Sequence, residues 1–322
     1  MRAAVAAVFA VLAFSAAWSA EKRQAKPAAR ASSRSAAQAA ARPVQAVARP
    51  TQTAHRRSPY VGALSANAET GEVLFSDNAD AEAYPASVTK LMTALLVLED
   101  IEAKKYSFDT RVTATDEVYK SEPSIVGLKA GQSMTVDDLL MSLMVKSAND
   151  AAIALGVNSA GSLDAFVARM NSRAAELGMS RTRYYNPNGL PPKKKYGTKA
   201  FNVTTCGDQL KLARRILTMP RILRYTSTKI GEVTDGFGKP LRFVNHNNVL
   251  VKDKRKVINP DGSEAVDGLK TGYIDAGGSS VVLTGKRKGR RAIVIVLGSS
   301  TSVERDENAA RLLEDALGAI AW

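Results

Sequence analysis

The chain has 322 residues, 45% of them hydrophobic and 24% charged, an ordinary globular composition with room for one large or two small domains. Its formal charge of +14 is uneven: ten Lys and Arg stand against one Glu in residues 1–58, so +9 lies there and +5 in the rest, and charge makes no case for nucleic acid. One cysteine, Cys206, excludes an internal disulfide, and two histidines, His55 and His246, exclude a histidine-rich zinc site; a Ser-His-Asp triad would rest on His246 alone, with no G-x-S-x-G elbow.

In chain order, residues 1–20 read as a signal peptide. Arg2 supplies the positive start, Ala3 to Phe14 are apolar but too short to span a bilayer, and small residues follow. Cleavage after Ala17 or Ser19 fits the small-residue rule, whereas cleavage after Ala20 sets Trp18 badly. Residues 21–58 are Ala, Arg, Gln, Pro and Ser, with too little apolar surface to offset ordering entropy, so a disordered basic tether is expected. Its plain reading is a solvated spacer; its sharper one is weak contact with anionic wall polymers or a membrane surface. The expectation is an exported, periplasmic or extracytoplasmic chain with no transmembrane anchor once mature.

From residue 59 onward the pattern is that of a folded domain. Tyr60 to Ala66 and Glu72 to Phe75 flank Glu69-Thr70-Gly71 as a hairpin. Pro85 precedes Ser87, and Leu91, Leu95 and Leu98 recur at helical spacing, so a buried helix starts near Ser87. Val136 to Val145 is a second helix with Asp137 and Asp138 in its first turn. Helical pattern returns at Asp150 to Leu155, Leu163 to Leu177 and Gln209 to Leu217, with an irregular stretch from Gly178 to Thr205 of the kind that often borders a site. Strands are predicted at Leu241 to Val244, Leu269 to Tyr273, Ser280 to Thr284 and Ala292 to Leu297, then a helix from Glu304 to Leu317. The fold class is α+β, with a sheet completed by segments distant in sequence.

Three short motifs stand in order: Ser87-Val88-Thr89-Lys90, Ser147-Ala148-Asn149 and Lys270-Thr271-Gly272. Singly they are weak, since S-x-x-K also occurs at Ser19 to Lys22 and S-x-N at Ser65 to Asn67 and Ser76 to Asn78. Their order and settings discriminate: the first opens a helix, the second follows one, the third lies in a strand.

A serine hydroxyl needs a base to become a nucleophile. Ser87 and Lys90, three apart on a helix, share a face. Lysine's ordinary pKa is about 10.4, so Lys90 acts as a base only if burial and a second cation, Lys270, disfavour its charge. Bringing it down by about three pH units costs about 4 kcal/mol, a cost retained only at a functional site. Ser147 relays a proton toward the leaving group, and Asn149 orients Lys90 and a substrate carbonyl.

These residues resemble the serine penicillin-recognising enzymes, most closely the low-molecular-mass D-alanyl-D-alanine carboxypeptidases of peptidase family S11. The resemblance runs from Tyr60 to Leu317. It includes Pro85-Ala86-Ser87-Val88-Thr89-Lys90-Leu91-Met92-Thr93, Ser147-Ala148-Asn149-Asp150-Ala151-Ala152, Asn186-Pro187-Asn188-Gly189-Leu190 and Asp267-Gly268-Leu269-Lys270-Thr271-Gly272-Tyr273.

The resemblance implies a β-lactamase/transpeptidase-like fold, an antiparallel sheet flanked by helices with an additional helical subdomain. It implies that Ser87 is acylated by peptidoglycan stem peptides with release of terminal D-Ala, that β-lactams inhibit, and that no cofactor or metal takes part. Backbone N–H groups of Ser87 and Tyr273 would form the oxyanion hole, while Lys270, Thr271 and Gly272 would flank the substrate carboxylate. Arg305 has two readings, the family's further carboxylate-side arginine or a solvated helix charge.

Longer members carry a second β-rich domain and an amphipathic tail; with the chain ending at Trp322, both are expected to be absent. A class A β-lactamase would need a glutamate in an E-x-x-L-N setting, and Glu176, Glu232 and Glu264 lack it. A DD-endopeptidase and a non-catalytic wall-binding protein are the other readings. Cys206 reads as a small buried filler, Lys193 to Lys195 as a solvated loop, and Asn245 to Asn248 as turn chemistry.

Overall fold

The run Ala292–Leu297 contains no polar residue, and the fold explains why: its strand is covered on both faces. A computed structural model describes residues 57–252 and 255–320. The expected signal peptide, residues 1–20, and the tether as far as residue 56 lie outside the described residues.

The elements in chain order are β1 (Gly62–Asn67), β2 (Val73–Asp77), a short 3-10 helix (Ala86–Thr89), α1 (Lys90–Glu102), β3 (Arg111–Thr113), a 3-10 turn (Asp116–Lys120) and β4 (Ser133–Thr135). They continue with α2 (Val136–Met141), a π turn (Ser142–Lys146), α3 (Asn149–Ala160), α4 (Leu163–Glu176), a 3-10 turn (Lys194–Tyr196), α5 (Cys206–Leu217) and α6 (Ile222–Thr226). β5 (Ile230–Thr234), β6 (Pro240–Val244), α7 (Asn248–Val251), β7 (Val266–Ile274), β8 (Gly278–Arg287), β9 (Arg290–Ser299) and α8 (Ser302–Ile320) complete the described chain.

The main sheet is antiparallel with strand order β2-β1-β9-β8-β7, so the N-terminal hairpin is finished by the last three strands. Period-2 alternation divides its side chains between two cores. On one face Ile293, Ile295, Leu297, Val282 and Leu64 join α1, α3 and α5. On the other, Val294, Val296, Val281, Leu283 and Ala63 meet Ala309, Leu312, Leu313 and Leu317 of α8. The fold is α+β as expected.

α1 is buried all round rather than on one stripe, which is what a helix through a protein's centre requires. Leu91 and Leu95 are fully buried, each contributing about 1.5–3 kcal/mol. α3 and α4 pack against α1, and α2 against α3, as the helical subdomain, and Thr135 caps α2 by accepting from the Asp138 amide at 3.0 Å.

Several expectations need correction. Order begins before Tyr60: Arg57 bridges to Ser299, and the Ser58 hydroxyl donates to Glu304 at 2.7 Å, so these two residues belong to the fold and not to the tether. The second helix does not run as one α-helix to Val145; it widens into the π turn after Met141. The predicted strand at Leu241 to Val244 pairs with β5 in a separate hairpin, outside the main sheet. Among the described residues no single helix is long and apolar enough to cross a membrane.

Candidate active site

Pro85, with its fixed φ, starts the 3-10 turn that carries Ser87, and the turn runs straight into α1. Lys90 is therefore one turn beyond Ser87 and is fully buried, while Ser87 itself is half-buried at the protein surface. The π turn delivers the chain to Ser147, whose backbone is left-handed with φ 60°. A serine there is strained, and π turns and strained residues both gather at functional sites. Asn149 then opens α3. Lys270, Thr271 and Gly272 occupy the middle of β7.

Ser87, Ser147, Thr271, Gly272, Tyr273 and Arg305 line one cavity of about 290 Å³. Lys90, Asn149 and Lys270 are buried, Lys90 being joined to both Ser87 and Asn149. The three motifs thus converge from α1, the turn before α3, and β7. Two glycines make that approach feasible. A Cβ on Gly272 would lie 2.5 Å from the Pro85 carbonyl oxygen and 3.0 Å from the Ser87 nitrogen, so only glycine lets β7 meet the Ser87 turn. A Cβ on Gly189, which has φ 85°, would lie 1.9 Å from the Ala86 carbonyl oxygen.

Lys90 Nζ has three oxygen neighbours: Ser87 Oγ at 2.9 Å, Asn149 Oδ1 at 2.7 Å and the Asn188 main-chain carbonyl at 2.8 Å. The two carbonyl oxygens can only accept, so they take two N–H bonds. A neutral amine has two N–H bonds and one lone pair, and its remaining direction faces the Ser87 hydroxyl. Burial first, and the Lys270 charge second, hold Lys90 well below the ordinary lysine range, while Asp150 pulls weakly upward. The amine thus lies against the Ser87 hydroxyl with its charge disfavoured.

Lys270 is also buried, and burial with the neighbouring Arg305 brings its pKa down to about 7. Its ammonium donates to the Thr271 carbonyl at 3.0 Å. Arg305 is 4% exposed and paired with Asp306 at 2.6 Å, which fits a cavity wall rather than a solvated helix charge. Asp306 also accepts from Asn248 Nδ2 at 3.0 Å, so one carboxylate braces two cavity-lining side chains.

Sequence reasoning missed several groups. The Asn188 carbonyl is main chain and has no signature of its own, although its segment was part of the family resemblance. Ser124, His246, Asn248 and Ser302 also line the cavity. Asn245 and Asn247 do serve turns, the second capping α7, but His246 between them faces the site. Burial first, then the Lys270, Lys146 and Lys90 charges, lower His246 to about 4, so it is neutral near pH 7.

Asp150, buried beside Asn149, accepts from the amides of Val126, Gly127, Leu128 and Ala151 at 2.9–3.2 Å. It ties the 124–128 loop, and with it Ser124, to the S-x-N turn. The Asn149 amide donates to the Ser124 carbonyl at 2.7 Å in the same clamp.

No carboxylate lines the cavity among the described residues. Glu176 pairs with Arg173, Glu232 with Arg242, and Glu264 with Lys229 and Lys256, all away from Ser87. Cys206 is buried at the start of α5, where burial raises its thiol, and the Lys193 to Lys195 side chains are exposed. Among the described residues no group of three His, Cys, Asp or Glu side chains is placed to hold a metal ion.

The peptidase S11 description, D-alanyl-D-alanine carboxypeptidase, matches residues 52–301. The chain is 31% identical over 246 residues to D-alanyl-D-alanine carboxypeptidase DacF of Bacillus subtilis, covering 76% of this chain and 59% of the relative. It is also 31% identical over 224 residues to a D-alanyl-D-alanine endopeptidase of Pseudomonas aeruginosa, covering 69% of this chain and 65% of that one. The chain therefore spans about 59% of the length of the first of these curated relatives. Penicillin-binding protein D2 of Listeria monocytogenes, solved in its ampicillin-bound form, superposes with a TM-score of 0.65 at 31% identity, covering 80% of this chain and 97% of that one.

Proposed function

This chain belongs to peptidase family S11, the D-alanyl-D-alanine carboxypeptidases, and from that membership we propose that it is an exported serine enzyme that trims terminal D-Ala from peptidoglycan stem peptides. The observation that carries the reading is the Lys90 amine, buried and held by two carbonyl oxygens with its third direction on Ser87 Oγ.

In the proposed reaction the Ser87 hydroxyl passes its proton to neutral Lys90 while its oxygen bonds to the penultimate D-Ala carbonyl carbon. The developing oxyanion is met by the Ser87 and Tyr273 amides, a role the close approach of Gly272 to the Ser87 nitrogen supports. Collapse breaks the amide bond. The leaving D-Ala nitrogen gains a proton from Lys90 through Ser147, which shares the cavity with Ser87. Water then cleaves the ester and restores Ser87. Lys270, Thr271 and Arg305 supply the cationic and hydroxyl groups for the substrate's terminal carboxylate.

The test is mass spectrometry after exposure to penicillin. An adduct mapped to Ser87, absent from Ser87→Ala, is expected; no adduct would return the non-catalytic wall-binding reading. Slow release of the adduct is also expected, since among the described residues no carboxylate lines the cavity to activate water; rapid turnover would favour a β-lactamase. An endopeptidase reading keeps its place because one equally similar relative is named as such. Product analysis on monomeric against cross-linked muropeptides separates the two. Export through residues 1–20 and wall contact through residues 21–56 belong to the same proposal; deletion of 21–56 with unchanged wall binding would remove the second.

A further inference from the structure

Ser147 stands in the left-handed region, at φ 60° and ψ 35°, a conformation that a residue with a Cβ disfavours, so its surroundings must hold it there. The π turn holds it from one side: the Ser147 and Ala148 amides both donate to the Ser142 carbonyl, the second at 3.0 Å. The other hold comes from one residue of a different segment. Ser124 Oγ donates to the Lys146 carbonyl at 2.9 Å, and the Ser124 carbonyl accepts from the Asn149 amide at 2.7 Å. One bond falls just before Ser147 and the other two residues after it. Ser124 thus brackets the turn with its side chain and its main chain together.

Ser124 is itself held. The amides of Val126, Gly127 and Leu128 donate to the Asp150 carboxylate at 3.0–3.2 Å, which joins the 124–128 segment to the 146–150 segment at both ends. Ser124 also lines the cavity shared by Ser87 and Ser147, so the clamp is at the site and not behind it. Its hydroxyl proton is committed to the Lys146 carbonyl, a group that can only accept, so Ser124 acts through Ser147 rather than on substrate.

We propose that Ser124 is a positioning residue, clamping the turn so that the Ser147 hydroxyl stands where it delivers a proton to the leaving nitrogen. The proposal rests on the carboxypeptidase reading, in which Ser147 is that donor. The nitrogen keeps the electron pair of the breaking C–N bond and uses it to take the Ser147 proton; Ser147 takes one in turn from the Lys90 ammonium. An amide nitrogen does not leave without that proton. A thiol, with an ordinary pKa of about 8.5, leaves as a thiolate carrying the electron pair alone. Displacing Ser147 therefore slows scission of an amide and spares that of a thioester.

The test compares an acyl-D-Ala-D-Ala peptide with its thioester analogue, sulfur replacing the scissile nitrogen, in the unaltered chain, Ser124→Ala and Ser124→Thr. In Ser124→Ala, kcat/KM for the peptide should fall about tenfold, while that for the thioester changes by less than about twofold. Ser124→Thr, which keeps the hydroxyl, should restore the peptide value to within about threefold. Damage to the fold or to substrate binding would lower both substrates alike, so equal falls overturn the proposal, as does an unchanged peptide value. Hydrogen exchange at the Asn149 amide reads the clamp without any substrate. It should be about tenfold faster in Ser124→Ala, and unchanged exchange overturns the proposal. If the unaltered chain cuts neither substrate, the carboxypeptidase reading fails, and exchange alone decides whether Ser124 holds the turn.

Discussion

The Asn188 main-chain carbonyl accepts an N–H from Lys90 at 2.8 Å, from a position 98 residues along the chain. Asn149 Oδ1 accepts another at 2.7 Å. Between them they fix which direction of the amine is left for Ser87, so the amine is oriented by two acceptors rather than merely placed nearby. Burial disfavours the charged form, so a lysine stripped of water gives up its proton more readily than an exposed one.

Lys90→Met should therefore abolish acylation while preserving the fold. Loss of a positioned general base costs about 10²- to 10⁴-fold, so the rate of penicillin adduct formation should fall by at least that factor. In the unaltered chain the rate should rise with pH as Lys90 loses its proton, and should level off well below the ordinary lysine range. Adduct formation in Lys90→Met at the parent rate would remove the proposed chemistry.

Asp150→Asn tests the charge beneath that base. The Asp150 anion favours protonated Lys90, so neutralising it should move the acid limb of the acylation profile to lower pH. The other charges acting on Lys90 or its neighbourhood are Lys270, Lys146 and Arg305, and neutral His246 adds none near pH 7. The variant also weakens the acceptor for the Val126, Gly127 and Leu128 amides, so stability should fall by about 2 kcal/mol. Asp150→Glu is the control that restores charge. An acid limb that stays put or moves upward contradicts the assignment.

How far this site could be read in advance varies by residue. Leu91, Leu95 and Leu98 announce α1 because a buried helix must repeat every three to four residues. Ala292 to Leu297 announce β9, and the order of the three motifs announces which residues meet. β5 escaped because Ile230 to Thr234 alternates with only Val233 and Gly231 buried, too little apolar signal for a strand. The π turn escaped because its residues are ordinary helix formers; it leads into left-handed Ser147, which lines the same cavity as Ser87. Asn188 and His246 escaped for different reasons. One acts through a carbonyl that every residue possesses, and the other sits among turn-forming asparagines that account for the local sequence by themselves.

Gly272→Ala should damage the site out of proportion to one methyl group. The added Cβ meets the Pro85 oxygen at 2.5 Å and the Ser87 and Val88 nitrogens at 3.0 Å, all of them backbone that cannot swing aside. β7 must then withdraw from the turn that carries Ser87. Overpacking of this kind costs about 1–3 kcal/mol in stability. Acylation should fall by more than that stability loss accounts for, because the Ser87 and Tyr273 amides separate. Equal acylation rates in variant and parent, at matched folded fractions, would show that the close approach is not needed.

Lys270→Met isolates what burying a second lysine costs. The folded chain holds Lys270 at about 7, against about 10.4 for an unfolded lysine. Between those values the unfolded chain binds a proton that the folded chain lacks, so stability rises with pH across that window. Below pH 7 the penalty is complete, on the order of 4 kcal/mol. Methionine fills similar space without titrating, so the variant should be the more stable protein at pH 6, with the gap closing as pH approaches 10. Buried tyrosines such as Tyr106 and Tyr225 titrate in both proteins and cancel in the difference. Urea midpoints for the pair at pH 6, 8 and 9.5 provide the measurement. A gap that does not change with pH would mean that Lys270 keeps its proton throughout. Substrate carboxylate binding should weaken in the same variant, so the residue would be one whose retention costs stability and serves function.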